Sequence, residues 1–420
     1  MLHLTADDRS LLDGAQGAAT AMAMRILVGT AEMLGADKLI DIASVHVDGC
    51  LYHGDSGTLF AEKLVNAGGQ VRVPTTLNVG ALDLVHGDRV KVTPARYDMI
   101  RRMMAAYQKL GCQPSWTCAP YQAGHRPAQG QDVAWGESNA IAFCNSVLGA
   151  RTDRYGDFLD ICAALTGRAP HTGFHKPENR RARIVVDASG LPAALTAEDS
   201  FYPVLGTWLG ATCGATVAAI DGLPGPISED RLKAVGAAGA SAGAVGLFHI
   251  VGVTPEAPSL AAALAGHAPE QTIRLTPAML RQARDRLSTG ATVAGQPIDA
   301  VAIGSPHLSE AEFDALRDLL RGRQVAVPFY ACTGRHAMTA IERSGTRVVL
   351  DAAGIIVIAD TCVVVTPIMK PGGGLLMTNS GKFAHYAPGT VGYDVVYGSM
   401  ADCVESAVAG RLAREESLWR

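Results

Sequence analysis

Two cysteines, Cys118 in the segment WTCAPY and Cys362 in ADTCVVV, have the clearest chemical potential in this sequence. They lie about half the chain apart, each beside turn and strand signals. A thiolate ligates or reacts only in polar, specific surroundings. Trp116, Pro120 and Tyr121 provide them for Cys118, and Asp360 and Thr361 for Cys362. Ligation of a buried metal or iron–sulfur centre is therefore favoured over the plain alternative of a small core residue. Cys50, in DGCLYHGD, stands evenly between the two readings, and Cys332, in YACTGR, reads as a neighbour of the site. Cys144, Cys162, Cys213 and Cys403 lie on Ala/Val-rich helical stretches and Cys112 closes a helix, so these read as core.

Polar side chains gather beside the same motifs. His53 and Asp55 share the turn of Cys50, where they either bond a substrate or the outer shell of a metal, or cap the loop. Thr75, Thr76 and Asn78 stand at the carboxyl end of a strand signal. Glu137, Ser138 and Asn139 open a predicted helix, as a cap and as a holder for an anionic substrate. Arg151, with Thr152, offers a fork for a carboxylate, or is a surface arginine. The segment MTNSGKFAHY packs Thr378, Asn379, Ser380, Lys382, His385 and Tyr386 behind PGGG, which points to an anion cradle at a helix N-terminus. It is not a phosphate loop, and GxGxxG and CxxC are absent.

Bulk properties narrow the partners. With 420 residues, 48% of them apolar, the chain can bury large cores, and a net charge of −4 with scattered Lys and Arg excludes a nucleic-acid-binding stripe. Small molecules or another protein remain as partners. The acidic start MLHLTADDRS does not read as a signal peptide, and no stretch reaches the roughly 20 apolar residues of a membrane span. A cytoplasmic location is expected. Nine cysteines, an odd number, argue against a disulfide framework there.

The elements that must position these groups alternate. Thr5 and Asp8 form a capping box for a first helix, and Ala18–Leu34 reads as a second. A strand is expected over Leu39–Val47, a helix over Leu59–Ala67, a strand over VRVPTTLN and a helix over Arg96–Leu110; ESNAIAFCNSVLGA reads as a helix ending near Gly149. From Ala182 the order is strand RIVVDAS, helix Val204–Gly210, strand TVAAIDG, helix Glu229–Val235 and strand AGAVGLFHIVG. Strands AVAIGS and VAVPFYA follow, around a helix Glu310–Arg321. Such βαβα order predicts parallel sheets covered by helices, with ligands beyond the carboxyl ends of the strands. Three regions are expected: 1–181, 182–300 and 301–420.

Read together, VHVDGCLYHGDSGTLFAEKLVNAGGQVRVPTTLNVGALDL, WTCAPY, WGESNAIAFCNSVLGART, HIVGVTPEA, IGSPH, DTCVVV and MTNSGKFAHYAPG resemble the large, catalytic part of the aconitase X family over nearly the whole chain. The resemblance implies aconitase-like α/β domains, with parallel sheets flanked by helices around a central cleft and no swivel domain. It also implies a dehydratase (hydro-lyase) with an iron–sulfur cluster, 2Fe–2S, or a mononuclear iron. A separate small swivel-domain subunit would bring a catalytic serine, making a heterodimer.

Within the family the resemblance offers two activities: dehydration of cis-3-hydroxy-L-proline to Δ1-pyrroline-2-carboxylate, and dehydration of mevalonate 5-phosphate. Ser305 stands where the archaeal pattern has a third cysteine, and Cys50 appears where that pattern lacks one. This implies the hydroxyproline branch, with Cys50, Cys118 and Cys362 as metal ligands. Lys382 and His53 are the expected catalytic residues of this chain, and Asp48, Thr75, Thr76, Asn78, Glu137, Ser138, Arg151 and Ser380 the expected substrate-binding ones. A non-catalytic scaffold subunit is the alternative of another class, opposed by the polar motifs at every strand end.

Overall fold

Short strands, the central ones buried along their whole length, set the architecture. In the first part of the computed structural model, which describes residues 1–419, these are β1 (Leu39–Asp41), β2 (Val45–Val47), β3 (Thr75–Leu77), β4 (Ala134–Trp135) and β5 (Arg168–Pro170). β3, β2 and β4 form a parallel sheet in that order, with His46 opposite both Thr76 and Trp135. All their residues are buried, as expected where helices cover both faces of a parallel sheet. Tyr121, Val133, Trp135, Ile141 and Phe143 pack into one cluster on this sheet, with the Tyr121 and Phe143 rings stacked at 3.5 Å.

The single strand expected over Leu39–Val47 is two strands in two sheets. β1 pairs antiparallel with β5, whereas β2 is the centre of the parallel sheet. The chain turns between them, and the N–H of Ile42 donates to Gly167 O at 3.2 Å and that of Ala43 to Asp132 O at 2.9 Å. The helix expected from Leu59 begins earlier, as Asp55–Asn66, with the Asp55 carboxylate in the first turn, where the helix dipole favours negative charge.

The remaining strands are β6 (Ile184–Asp187), β7 (Ala218–Asp221), β8 (His249–Ile250), β9 (Gln271–Arg274), β10 (Ala300–Leu308), β11 (Phe329–Thr333), β12 (Ile355–Ala359), β13 (Leu375–Thr378) and β14 (Asp394–Tyr397). They build two parallel sheets, β8-β7-β6-β9 and β12-β11-β10-β13-β14. All nine residues of β10 are buried. Its face packs with Phe313, Leu316, Phe329, Ile341, Leu350, Val357 and Val404 in one hydrophobic core.

By contact the chain divides into two units, Met1–Leu82 with Val92–Arg181, and Asp83–Lys91 with the chain from Ala182 onward. No helix among the described residues is long and apolar enough to cross a membrane.

Capping follows the sequence closely. The Thr5/Asp8 box is formed, as are Ser309/Glu312 and Ser399/Asp402. The helix expected over Glu229–Val235 instead runs to Gly243, through a stretch where Gly236, Gly239 and Gly243 lower the helix propensity. It persists because it lies in backbone contact with the helix Phe201–Cys213: a Cβ on Gly210 would sit 2.6 Å from Gly239 O. The strand expected after it shrinks to β8.

Candidate active site

The order β3-β2-β4 brings three polar turns side by side at one edge of the first unit. Asn78 follows β3, Asp48, Gly49 and Cys50 follow β2, and Gly136, Glu137 and Ser138 follow β4. The turns are crowded: a Cβ on Gly136 would lie 2.9 Å from both Asp48 Cβ and Asp160 Oδ2. Asp160, which the sequence analysis did not single out, organises this edge. It stands in the first turn of the helix Leu159–Thr166 and accepts the N–H groups of Asp48 at 2.6 Å, Gly49 at 3.0 Å and Ile161 at 2.6 Å. In the sequence an acid at a helix start reads only as dipole complementarity. Its partners 111 and 112 residues away are visible only in the fold.

Asp48 accepts the Asn78 side-chain amide. Burial, then the neighbouring Glu137, Asp157 and Asp160 charges, push its carboxyl up to about 7. Burial likewise raises Asp160 to about 6, against the pull of its N–H donors. Glu137 caps its helix, accepting from Ala140 N at 2.6 Å, and Ser138 Oγ donates back to it at 3.4 Å. Asn139 ties this helix to the WTCAPY turn, donating to Cys118 O and Tyr121 Oη at 3.0 Å each. That turn is held in an uncommon conformation, with φ +42° at buried Trp116.

The other expected residues of this unit are placed differently. Thr75 donates its hydroxyl to Val73 O at 2.8 Å. Thr76 joins a relay in which its Oγ1 meets His46 Nδ1 at 2.9 Å and His125 Nδ1 at 2.7 Å, with His125 Nε2 in turn 2.8 Å from Ser44 Oγ. Both hydroxyls are thus engaged within the protein. Arg151 has a buried Nε without a hydrogen-bond partner. His53 is exposed and lines a separate hollow of about 400 Å³ with Tyr52, Asp55 and Arg96. Asp55 there accepts from Tyr52 Oη at 2.6 Å.

In the second unit the neighbours β12-β11-β10-β13 align a second set. Cys362 follows β12, Cys332 lies in β11, Ser305 and His307 belong to β10, and Asn379 and Ser380 follow β13. The Cys362 thiol is held below its ordinary range, by a hydrogen bond with the Cys332 side chain and then by Val364 N–H, Ser305 and the Lys382 charge. Cys332 is thus a direct neighbour of Cys362. Its Sγ also accepts from Val363 N at 3.5 Å.

Ser380 caps the helix Gly381–Thr390, accepting from Phe383 N at 3.0 Å while donating to Ser305 O. Ser305, Asn379, Ser380 and Lys382 line one cavity of about 390 Å³, together with Lys233. Lys233 is buried between Asp230 at 2.8 Å and Glu312 at 2.5 Å, a pair of contacts not anticipated from sequence.

The cysteines separate by environment. Burial raises the thiols of Cys112, Cys144, Cys213 and Cys403, and that of Cys162 to about 12, as suits inert core residues. Cys50 Sγ donates to Val47 O at 3.5 Å and Asn78 O at 3.4 Å, and burial, Asp48 and Asp160 hold it protonated. The same carbonyls and carboxylates make a negative environment, which a bound cation would invert in favour of thiolate. Each of two thiols, that of Cys50 in its negative surroundings and that of Cys362 held below its ordinary range, is by itself of the soft donor type that iron takes. Among the described residues no three His, Cys, Asp or Glu side chains are already grouped as a metal cage.

Comparisons with known proteins agree over almost the whole chain. Residues 1–178, 182–285 and 298–409 match the first, second and third domains of aconitase X. A cis-3-hydroxy-L-proline dehydratase of Pseudomonas aeruginosa is 44% identical, over 99% of this chain and 72% of its own length. A phosphomevalonate dehydratase large subunit of Methanothermobacter thermautotrophicus is 36% identical, over 94% of this chain and 96% of its own. The crystal structure of holo-form aconitase X from Thermococcus kodakaraensis superimposes with a TM-score of 0.84 at 31% identity, covering 96% of this chain and all of that one.

Proposed function

Because the chain belongs to the aconitase X family, we propose that it is a hydro-lyase that converts cis-3-hydroxy-L-proline to Δ1-pyrroline-2-carboxylate and water. The observation that carries the substrate is the order of similarity. The relative named for hydroxyproline is 44% identical, against 36% for the one named for phosphomevalonate.

The reaction removes the proton at C2, beside the carboxylate, and the hydroxyl at C3; these leave as water. The resulting enamine becomes the imine by moving a proton from nitrogen to C3. Cys50, Cys118 and Cys362 are the residues that would hold an iron group, as a 2Fe–2S cluster or a single iron. When bound, such a group supplies a Lewis acid for the leaving hydroxyl oxygen. Arg151, whose Nε lacks a partner, is suited to pair with the substrate carboxylate. Ser138 and, in the second unit, Ser380 each stand at a helix start, where backbone donors suit an anion. Glu137, with its side chain committed to Ala140 N, holds the Ser138 turn in place.

The base for the C2 proton is assigned to a serine of a small swivel-domain subunit. A two-subunit enzyme is supported by the large-subunit name of the phosphomevalonate relatives. Lys382 is placed as the cation that assists that serine, in keeping with its position beside Ser380 on the same cavity.

The test is an assay of the full chain with its small subunit on both substrates. Turnover of cis-3-hydroxy-L-proline is expected, and turnover of mevalonate 5-phosphate alone would overturn the reading.

A further inference from the structure

At the edge formed by β3, β2 and β4, three carboxylates lie together and one is short of donors. Asp160 is saturated by three N–H groups, and Glu137 serves as a helix cap. Asp48, only partly buried, accepts the Asn78 Nδ2 group. Neither Asp48 nor Asp160 has a Lys, Arg or His within ion-pair distance among the described residues. Carboxylates collected out of water in this way normally carry a counter-charge.

Asn78 supplies the second, independent sign. It is 3% exposed, and the amide head that donates to Asp48 carries an Oδ1 with no hydrogen-bond donor. Buried acceptors are almost always satisfied, so an orphan at this place calls for a missing donor. An iron group on Cys50 would bring charge to this edge but no hydrogen, so what Asn78 Oδ1 and Asp48 still lack is a donor with two N–H bonds.

We propose that Asp48 and Asn78 form the subsite for the ring ammonium of a cyclic amino acid, one N–H directed to the Asp48 carboxylate and the other to Asn78 Oδ1. The assignment rests on the substrate reading above and deepens it. A secondary ammonium has two N–H bonds and a positive charge, which match the two acceptors and the negative surroundings. Mevalonate 5-phosphate has no N–H and brings further negative charge to a place that already holds three carboxylates, so the same two residues select against it.

Competitive inhibition in the complete enzyme separates the possibilities. L-Proline carries the ammonium, whereas cyclopentanecarboxylate keeps the ring and carboxylate without nitrogen. Wild type should hold L-proline about tenfold or more tightly than the carbocycle, the loss expected for one charged hydrogen bond. Asp48→Asn should raise the KM for cis-3-hydroxy-L-proline and the inhibition constant of L-proline by a similar factor. It should leave the carbocycle constant and the bound iron unchanged.

Equal binding of the two inhibitors by wild type overturns the subsite. So does an Asp48→Asn enzyme with unaltered L-proline affinity, or one that loses iron yet still prefers L-proline. If Asp48→Asn fails to fold, Asn78→Ser, which removes the amide acceptor, is held to the same outcomes. An enzyme that does not turn over cis-3-hydroxy-L-proline fails the substrate reading instead, and L-proline binding by calorimetry then decides the subsite separately.

Discussion

Arg335 grips Asp360 with both arms of its guanidinium, Nε to Oδ1 and NH2 to Oδ2 at 2.7 Å each, while Asp360 itself is fully buried at a left-handed φ of +64°. The pair anchors the turn that carries Cys362. His307 Nε2, 3.0 Å from Thr361 O, and the Thr361–Thr366 hydroxyl contact at 2.5 Å hold the same turn from its other sides.

Arg335→Ala removes the only cation seen beside Asp360 among the described ion pairs. A loss of about 2 kcal/mol is expected, below the ~3–5 of a wholly buried pair because Arg335 is 49% exposed. Arg335→Lys should recover only part of it, since an ammonium cannot form the fork. Thermal unfolding measures the stability, and the rate of iron loss to a chelator reports the turn. Equal behaviour of the Lys and Ala variants with wild type would remove the anchoring role.

Cys118→Ser and Cys362→Ser are expected to lose both bound iron and turnover, and Cys50→Ser to do the same. Cys213→Ala, at a helix end in the second unit, should keep both. Iron content and visible absorption of the purified complex measure this directly. Full turnover by the Cys118 or Cys362 variant would refute its role as a ligand.

His125 sets an acid limit on stability. Burial pushes its imidazole from 6.5 down to about 4. The unfolded chain therefore takes up a proton near pH 6.5 that the folded chain refuses until about pH 4, so stability is full above 6.5 and declines as the pH falls through that window. The decline should approach about 3 kcal/mol at its acid end. Urea midpoints of wild type and His125→Gln between pH 7.5 and 4 test this: the wild-type advantage should shrink on acidification, and a constant difference contradicts it.

Lys233→Met leaves Asp230 and Glu312 without their shared ammonium. Removing one partner from such a buried group costs about 3 kcal/mol. An unaltered thermal midpoint would show that the carboxylates find other compensation.

Much of the candidate site can be read in the chain before folding. Polar turns follow aliphatic runs at Val47, Leu77 and Trp135, and parallel order puts such turns at one edge of a sheet. The Thr5/Asp8 box is a local device, formed by residues three apart, and it appears as expected. Thr75 and Thr76 show the limit of this reasoning. Their position after a strand resembles that of Asn78, but their hydroxyls go to Val73 O and to two imidazoles.

By itself the sequence determined the alternating order of strands and helices, which cysteines stand in polar turns, and the family these motifs share, because each depends on residues close along the chain. Only the tertiary structure decided that β2 lies between β3 and β4, that Asp160 saturates the turn of Asp48, and that Cys332 lies against Cys362. Those outcomes depend on sheet order and on hydrogen bonds between residues 30 to 112 positions apart, for which local propensity has no term. The glycine contact of Gly210 with Gly239 has the same origin: backbone packing overrides the weak helix preference of the residues that make it possible.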